Sequence, residues 1–326
     1  MIRNISIVWL TFALVLVQAP PKEANGHERN LIRRSLDRMA QDPVIVKVGV
    51  LNEETGSFAL DLREEDFVIE EDGERQKPTR FLREERPLSI LLLVDSSGSM
   101  RPSIQLIVEA VSRGLKRMKP DDEVALLSFN DVVEVLQDFT RKKALVEEKL
   151  RGVLARRPTL ARQALLQAAT HMLKAASADT PRLIVVLTDN RPSTPLDGTP
   201  EKVVMQQLSA SASVVCGVIV AYPLPKEFLS VPKSAGAITS YVEETGGLLE
   251  TVKKVDAAEI SESLVRTIDA YRTYYRIEYF STRSKRDGKH RRIRVTLSPD
   301  ARRRGGKLKV LAKRGYYAPN ASSDQK

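Results

Sequence analysis

At 326 residues the chain is long enough for about two domains, and 42% hydrophobic residues are ample for packed cores. One cysteine excludes an internal disulfide, and one cysteine with three histidines excludes a His/Cys zinc cluster. The net charge of +10 is unevenly spread: residues 271–326 hold 17 Lys/Arg against 4 Asp/Glu, a net +13, so everything before them sums to −3.

From the amino end, Ile5 to Val17 form an apolar run behind Arg3, followed by Val17-Gln18-Ala19. The run is short for a membrane-spanning helix, so residues 1–19 read as a signal peptide cleaved after Ala19, with an uncleaved anchoring helix as the second reading. The mature chain then has no transmembrane anchor. Its expected location is the medium, the periplasm or the bacterial cell envelope. Residues 20–41 read as a linker or short helix. Residues 42–86 read as a β segment: Val44 to Val50 alternate, Gly56 marks a turn, and Asp66 to Glu71 run into Asp72-Gly73, a strong hairpin signal.

Leu88 to Val94 are apolar apart from Ser89 and lead straight into Asp95-x-Ser97-x-Ser99. Such a run reads as a central strand of a parallel sheet, and strands of that kind place ligand chemistry beyond their carboxyl ends. A carboxylate and two hydroxyls in a tight Gly-containing turn are hard donors suited to Mg²⁺ or Mn²⁺. The plain alternatives are a helix cap or a phosphate-holding turn, although no Gly-Lys-Ser/Thr follows to make a P-loop. Next come a helix over 103–118, with Ile104, Ile107, Val108, Val111 and Leu115 on one face, a strand over 123–129, a turn at Asn130-Asp131 and a strand over 132–137. Helices are expected near 141–155 and 160–177, separated by a loop, Arg156 to Leu160, that carries Thr159. Arg182 to Thr188 form a second apolar strand, which ends at Asp189 as the first ends at Asp95. A helix over 201–210 and a strand over 213–221 follow, with Cys216 as a small buried hydrophobe. A loop over 222–234, a helix near 235–245 stopped by Gly246-Gly247, a strand over 248–252 and a helix over 256–271 complete the pattern.

On Asp95-x-Ser97-x-Ser99, the distant Thr159 and the strand-closing Asp189, residues 87–271 resemble the von Willebrand factor A domain. The resemblance implies an α/β fold with a doubly wound, Rossmann-like, mainly parallel sheet flanked by helices. It also implies a metal-ion-dependent adhesion site in which Asp95, Ser97, Ser99, Thr159 and Asp189 hold Mg²⁺ (or Mn²⁺ or Ca²⁺). In that family the open metal position takes an Asp or Glu carboxylate from a protein partner. Two positions depart from the family pattern: Pro158 and Asn190 stand where glycine is usual. Proline closes any φ > 0 conformation at its position, whereas Asn tolerates the left-handed region. Catalysis is not expected, because none of His27, His171 and His290 stands beside a nucleophile in a recognisable pattern and no Gly-x-Ser-x-Gly elbow is present.

Beyond the last helix, Tyr274 to Phe280, His290 to Leu297 and Lys307 to Ala312 alternate like strands. This basic segment, 272–318, is expected to fold together with 42–86 into one β-sandwich-like module, since a lone hairpin is marginal; 319–326 is a tail. Phe67-x-x-x-Glu71-Asp72-Gly73 and Lys313-Arg314-Gly315-Tyr316 resemble motifs of the secreted bacterial VWFA-related family of acidobacterial type. Arg283-Ser-Lys-Arg, Lys289-His-Arg-Arg and Arg302-Arg-Arg lie near expected strand ends, as solvated surface or as an attraction for an anionic partner. Export argues against nucleic acid as that partner. The leading expectation is an exported, metal-dependent, adhesion-type protein-binding module. The alternative is a structural or envelope-associated protein whose basic β module binds an anionic surface while the metal only stabilises the fold.

Overall fold

The computed structural model describes residues 42–156, 159–176, 180–191, 197–220, 237–283 and 285–319. The signal-peptide and linker expectations, Pro158, the 222–234 loop and residues 320–326 of the tail lie outside them. In the first segment, alternation buries Val46, Val48 and Val50 on one face of β1 (Val44–Asn52). β2 (Phe67–Glu71) turns into β3 (Glu74–Gln76) through Asp72 and Gly73, at φ 48° and 84°, the two positive angles a tight hairpin needs. β4 (Arg80–Glu85) follows.

β5 (Ser89–Asp95) is buried at every position, which is why its sequence is continuously apolar instead of alternating. It is followed by α1 (Ile104–Leu115), β6 (Glu123–Phe129), β7 (Val133–Thr140) and α2 (Lys143–Leu150). Then come α3 (Ala161–His171), β8 (Arg182–Thr188), α4 (Glu201–Ala210), β9 (Ser213–Ile219), α5 (Thr239–Thr245), β10 (Leu249–Thr251) and α6 (Ala257–Asp269). These strands form one sheet in the order β10-β9-β8-β5-β6-β7, all parallel except the edge strand β7. One face packs Ile90, Leu92 and Val94 against Ile107 and Val111 of α1 and Ile260 and Leu264 of α6. The other packs Leu91 and Leu93 against Leu165 and Ala168 of α3, Val204 and Leu208 of α4 and Val242 of α5. Helices on both faces make the sheet doubly wound.

The chain closes with β11 (Thr273–Tyr279), β12 (His290–Leu297), α7 (Pro299–Gly305), β13 (Leu308–Ala312) and β14 (Gly315–Tyr317). Strands from the two flanks interleave in two four-stranded sheets, β13-β1-β11-β4 and β14-β12-β2-β3. Val46, Val48, Phe67, Ile69, Tyr275, Ile277, Tyr279 and Ile293 fill one core. The β-sandwich-like module drawn from both flanks is therefore present. Glu71, fully buried within it, accepts hydrogen bonds from Tyr279 Oη (2.9 Å), Ser281 Oγ (2.6 Å) and Tyr316 Oη (3.1 Å). Where α6 passes into β11, Arg272 clasps buried Asp122 through two 2.9 Å hydrogen bonds.

Several expected elements differ in extent. The 141–155 helix stops at Leu150, ahead of Gly152, and the 160–177 helix gives way to a 3-10 turn at Met172–Lys174. The helix near 235–245 is helical from Thr239, with Gly246 at φ 77° as its left-handed stop. Arg302, Arg303 and Arg304 lie in α7 and not at a strand end; Ser298 Oγ caps that helix by accepting Ala301 N–H at 3.2 Å. Among the described residues no helix is long and apolar enough to cross a membrane.

Candidate metal centre

β5 lies between β6 and β8, so the connections leave it in opposite directions across the sheet. That arrangement opens a crevice at the carboxyl end of the strand, where Asp95 stands, only 1% exposed. Ser97 N–H donates to Asp95 Oδ1 at 2.9 Å, and Thr188 Oγ1, at the end of the neighbouring β8, donates to Oδ2 at 2.6 Å. The Ser97 and Ser99 hydroxyls are 3.1 Å apart. Ser103 stands at the N-cap of α1, and neither it nor Ser97 makes a side-chain cap bond. Capping therefore does not account for the Asp-x-Ser-x-Ser hydroxyls.

Asp189 follows directly from Thr188. Burial pushes the Asp95 carboxyl up to about 6; hydrogen bonds from Thr188 and Ser97 oppose that rise, and the Asp189 charge adds to it. Asp189 Oδ1 accepts Arg191 N–H at 3.3 Å. Among the described residues Asp189 Oδ2 is buried and accepts no hydrogen bond, because Arg191 Nε, although 3.0 Å away as an ion-pair partner, does not point its N–H at it. An unsatisfied buried carboxylate oxygen is costly. Thr159 is half-buried on a loop pinned at both sides: Arg156 N–H donates to Ser96 O at 2.7 Å and Leu160 N–H to Asn130 O at 2.9 Å. Pro158 lies outside the described residues.

Three residues outside the motif, Ser96, Thr188 and Asp197, hold this assembly together with Asn190. Ser96 Oγ donates to Phe129 O at 3.0 Å and accepts from Asn130 Nδ2 at 3.2 Å, which joins the β5 and β6 loops. Thr188 orients Asp95. Asn190 adopts φ 55°, the left-handed conformation that Asn tolerates, and its Oδ1 accepts Ile238 N–H at 3.0 Å. Buried Asp197 accepts Arg162 N–H at 2.7 Å, tying the loop after Asp189 to the start of α3. An Asp before Gly198 was the available signal for the last.

Two carboxylates and three hydroxyls on three loops suit a hard divalent cation, and Asp189 Oδ2, which accepts no hydrogen bond among the described residues, has a lone pair to offer it. Among the described residues no group of three His, Cys, Asp or Glu side chains is assembled as for a metal. A site here would therefore depend on hydroxyl oxygens as well as carboxylates.

No curated protein matches the chain. Among solved structures, a von Willebrand factor type A protein from Catenulispora acidiphila is 14% identical with a TM-score of 0.44, covering 82% of this chain and 76% of that one. An aerotolerance-related membrane protein from Bacteroides fragilis is 18% identical at a TM-score of 0.43, covering 56% and 98%. Manganese-loaded TRAP protein from Plasmodium vivax is 14% identical at 0.42, covering 67% and 82%. The family model of the von Willebrand factor type A domain matches residues 90–191, the stretch that runs from β5 through Asp95, Thr159 and Asp189 and so carries the candidate site.

Proposed function

We propose that the chain is an exported protein-binding module that works through a divalent cation, Mg²⁺ by preference, held by Asp95, Ser97, Ser99, Thr159 and Asp189. The observation that carries the reading is the buried Asp189 oxygen, which accepts no hydrogen bond among the described residues, beside an Asp95 whose burial disfavours its charge. When bound, the cation supplies a Lewis-acidic position for an incoming oxygen. Asp95 and Asp189 balance its two charges, Ser97 and Ser99 present hydroxyls, and Thr188 and Ser96 keep the loops in register. The partner group that fits is an Asp or Glu carboxylate, and no bond is made or broken. Arg101, Arg156 and Arg191, on the three loops that carry the site, favour an acidic partner surface. Calorimetric titration of the metal-stripped chain with Mg²⁺ and Mn²⁺, beside Asp95→Ala, tests this. One saturable ion lost in the variant is the expected result; no binding by the wild type sinks the reading.

A second reading rests on Arg292 and Arg294 of β12, Arg302 of α7 and Lys309 of β13, which are exposed and form no ion pair among the described residues. Those cations suit an anionic envelope surface. Chelation separates the two: EDTA abolishes partner capture under the first reading and leaves vesicle or polysaccharide binding intact under the second.

A further inference from the structure

At the pole of the six-stranded sheet opposite the candidate metal centre, where it meets the sandwich, lies a cavity of about 30 Å³ lined by Lys47, Arg182, Val214, Tyr271, Tyr274 and Leu311 among others. At about 10–15 Å³ for each water-sized group, it holds two or three such groups. Its walls are mostly apolar, yet it gathers Lys47 and Arg182, which form no ion pair among the described residues, Glu84 alone lending Lys47 a distant opposite charge. Lys47 Nζ sits 5.5 Å from the Tyr274 ring centre, and the nearby Lys313 sits 5.6 Å from the Tyr316 ring centre. Among the described residues neither lysine forms an ion pair. Burial, followed by Arg276, brings Lys47 down to about 8; burial, followed by Lys47 itself, does the same to Lys313.

The nearby acids are already committed. Glu84 accepts from Tyr274 Oη at 2.9 Å and pairs with Arg86 at 3.4 Å, while Glu278 pairs with Arg276 at 2.7 Å. Arg182 spends one terminal nitrogen on Ser211 O at 2.9 Å, and its buried Nε makes no hydrogen bond among the described residues. A third wall residue, Ala212, is held at φ 51°, a conformation that non-glycine residues rarely adopt and that concentrates at functional sites. Half-buried cations that form no ion pair among the described residues are favourable around an anion.

We propose that this cavity binds a small monocarboxylate of about acetate size, its oxygens between Lys47 and Arg182 and its short apolar body against Val214 and Leu311. The ligand bridges β1 of the sandwich and β8 of the six-stranded sheet, and so stiffens the junction between them. The assignment is independent of the metal reading.

The test titrates acetate, chloride and phosphate into the full chain at millimolar concentration and constant ionic strength, by calorimetry and thermal midpoint. Acetate is expected to bind saturably and raise the midpoint by mass action. Lys47→Met is expected to have a higher midpoint than wild type in ligand-free buffer, because an unpaired charge is gone, and to bind acetate at least about tenfold more weakly. Arg182→Gln, a second variant, is expected to lose affinity without that gain. Equal responses to acetate and chloride, or wild-type acetate binding by both variants, overturn the site. Saturable phosphate binding without acetate binding overturns the carboxylate assignment.

Discussion

Replacing Arg272 by Met tests whether the clasp on Asp122 holds the six-stranded sheet and the sandwich together. Asp122 is 0% exposed and Arg272 6%, so the substitution strands a carboxylate in the interior. Breaking a buried pair from one side costs about 3–5 kcal/mol. Asp122 keeps two other donors, Leu88 N–H at 2.9 Å and Lys119 N–H at 3.0 Å, so the lower end of that range, about 3 kcal/mol, is expected. Urea unfolding reports it as a lower midpoint at unchanged slope. The pH dependence carries a second signature. Burial pushes the Asp122 carboxyl up, but hydrogen bonds from Arg272 and Leu88 N–H outweigh it and hold the group below its ordinary 3.8. With the folded value depressed, the unfolded chain binds more protons in the window below 3.8. The pair's contribution is therefore complete above that value and fades as pH falls through the folded one. In Arg272→Met the depressing partner is gone and protonation relieves the stranded charge, so the deficit against wild type shrinks on acidification. A loss under about 1 kcal/mol at neutral pH, the level of an exposed pair, or a deficit that does not change with pH, refutes the argument.

Other outcomes follow from geometry already described. Gly246→Ala places a Cβ 2.2 Å from Ala312 C at φ 77°, whereas Gly56→Ala at φ 70° meets nothing within 4 Å. Thermal unfolding should show the first losing at least about 3 kcal/mol and the second about 1 kcal/mol. Cys216 is fully buried and its thiol is pushed up to about 12 by burial. Disulfide-reagent labelling in native buffer should run at least about 10³-fold slower than in denaturant, limited by opening of the sheet. Asp197→Ala removes the acceptor for Arg162 N–H; it should cost about 1 kcal/mol and weaken Mg²⁺ binding severalfold, as read by calorimetry, while leaving acetate binding at the opposite pole unchanged.

The strands that matter most were legible because burial on both faces writes itself as an unbroken apolar run. β5 and β8 could be read with their terminal Asp95 and Asp189 for that reason. β4 could not: Arg80-Phe-Leu-Arg-Glu-Glu85 is an edge strand of its sheet, half solvated, and neither alternates nor runs apolar. α7 escaped notice because Ala301 is its one buried residue, although Ser298-Pro299-Asp300 carries a helix-start signal. Thr188, Ser96 and Asp197 act through contacts between segments distant in sequence. Spacing along the chain does not encode such contacts, whereas the Asp-x-Ser-x-Ser turn is local and does.

The sandwich is discontinuous, and that fixes the order in which it can be completed during synthesis. β1 pairs with β11 and β13, Val44 facing Tyr279 and Val48 facing Ala312, while β2 finds β12 at the far end of the chain. At about 5–20 residues per second, β1 waits roughly ten to fifty seconds for its first neighbour. Apart from the local bridge between Leu51 and Phe58, its valine-rich edges stay unpaired throughout that interval, which is the circumstance that invites strand-to-strand aggregation. The intervening α/β sheet has every one of its strands in hand before β11 emerges. Premature release of the chain would thus yield a folded centre trailing a sticky amino-terminal segment, the species a holdase would be expected to capture.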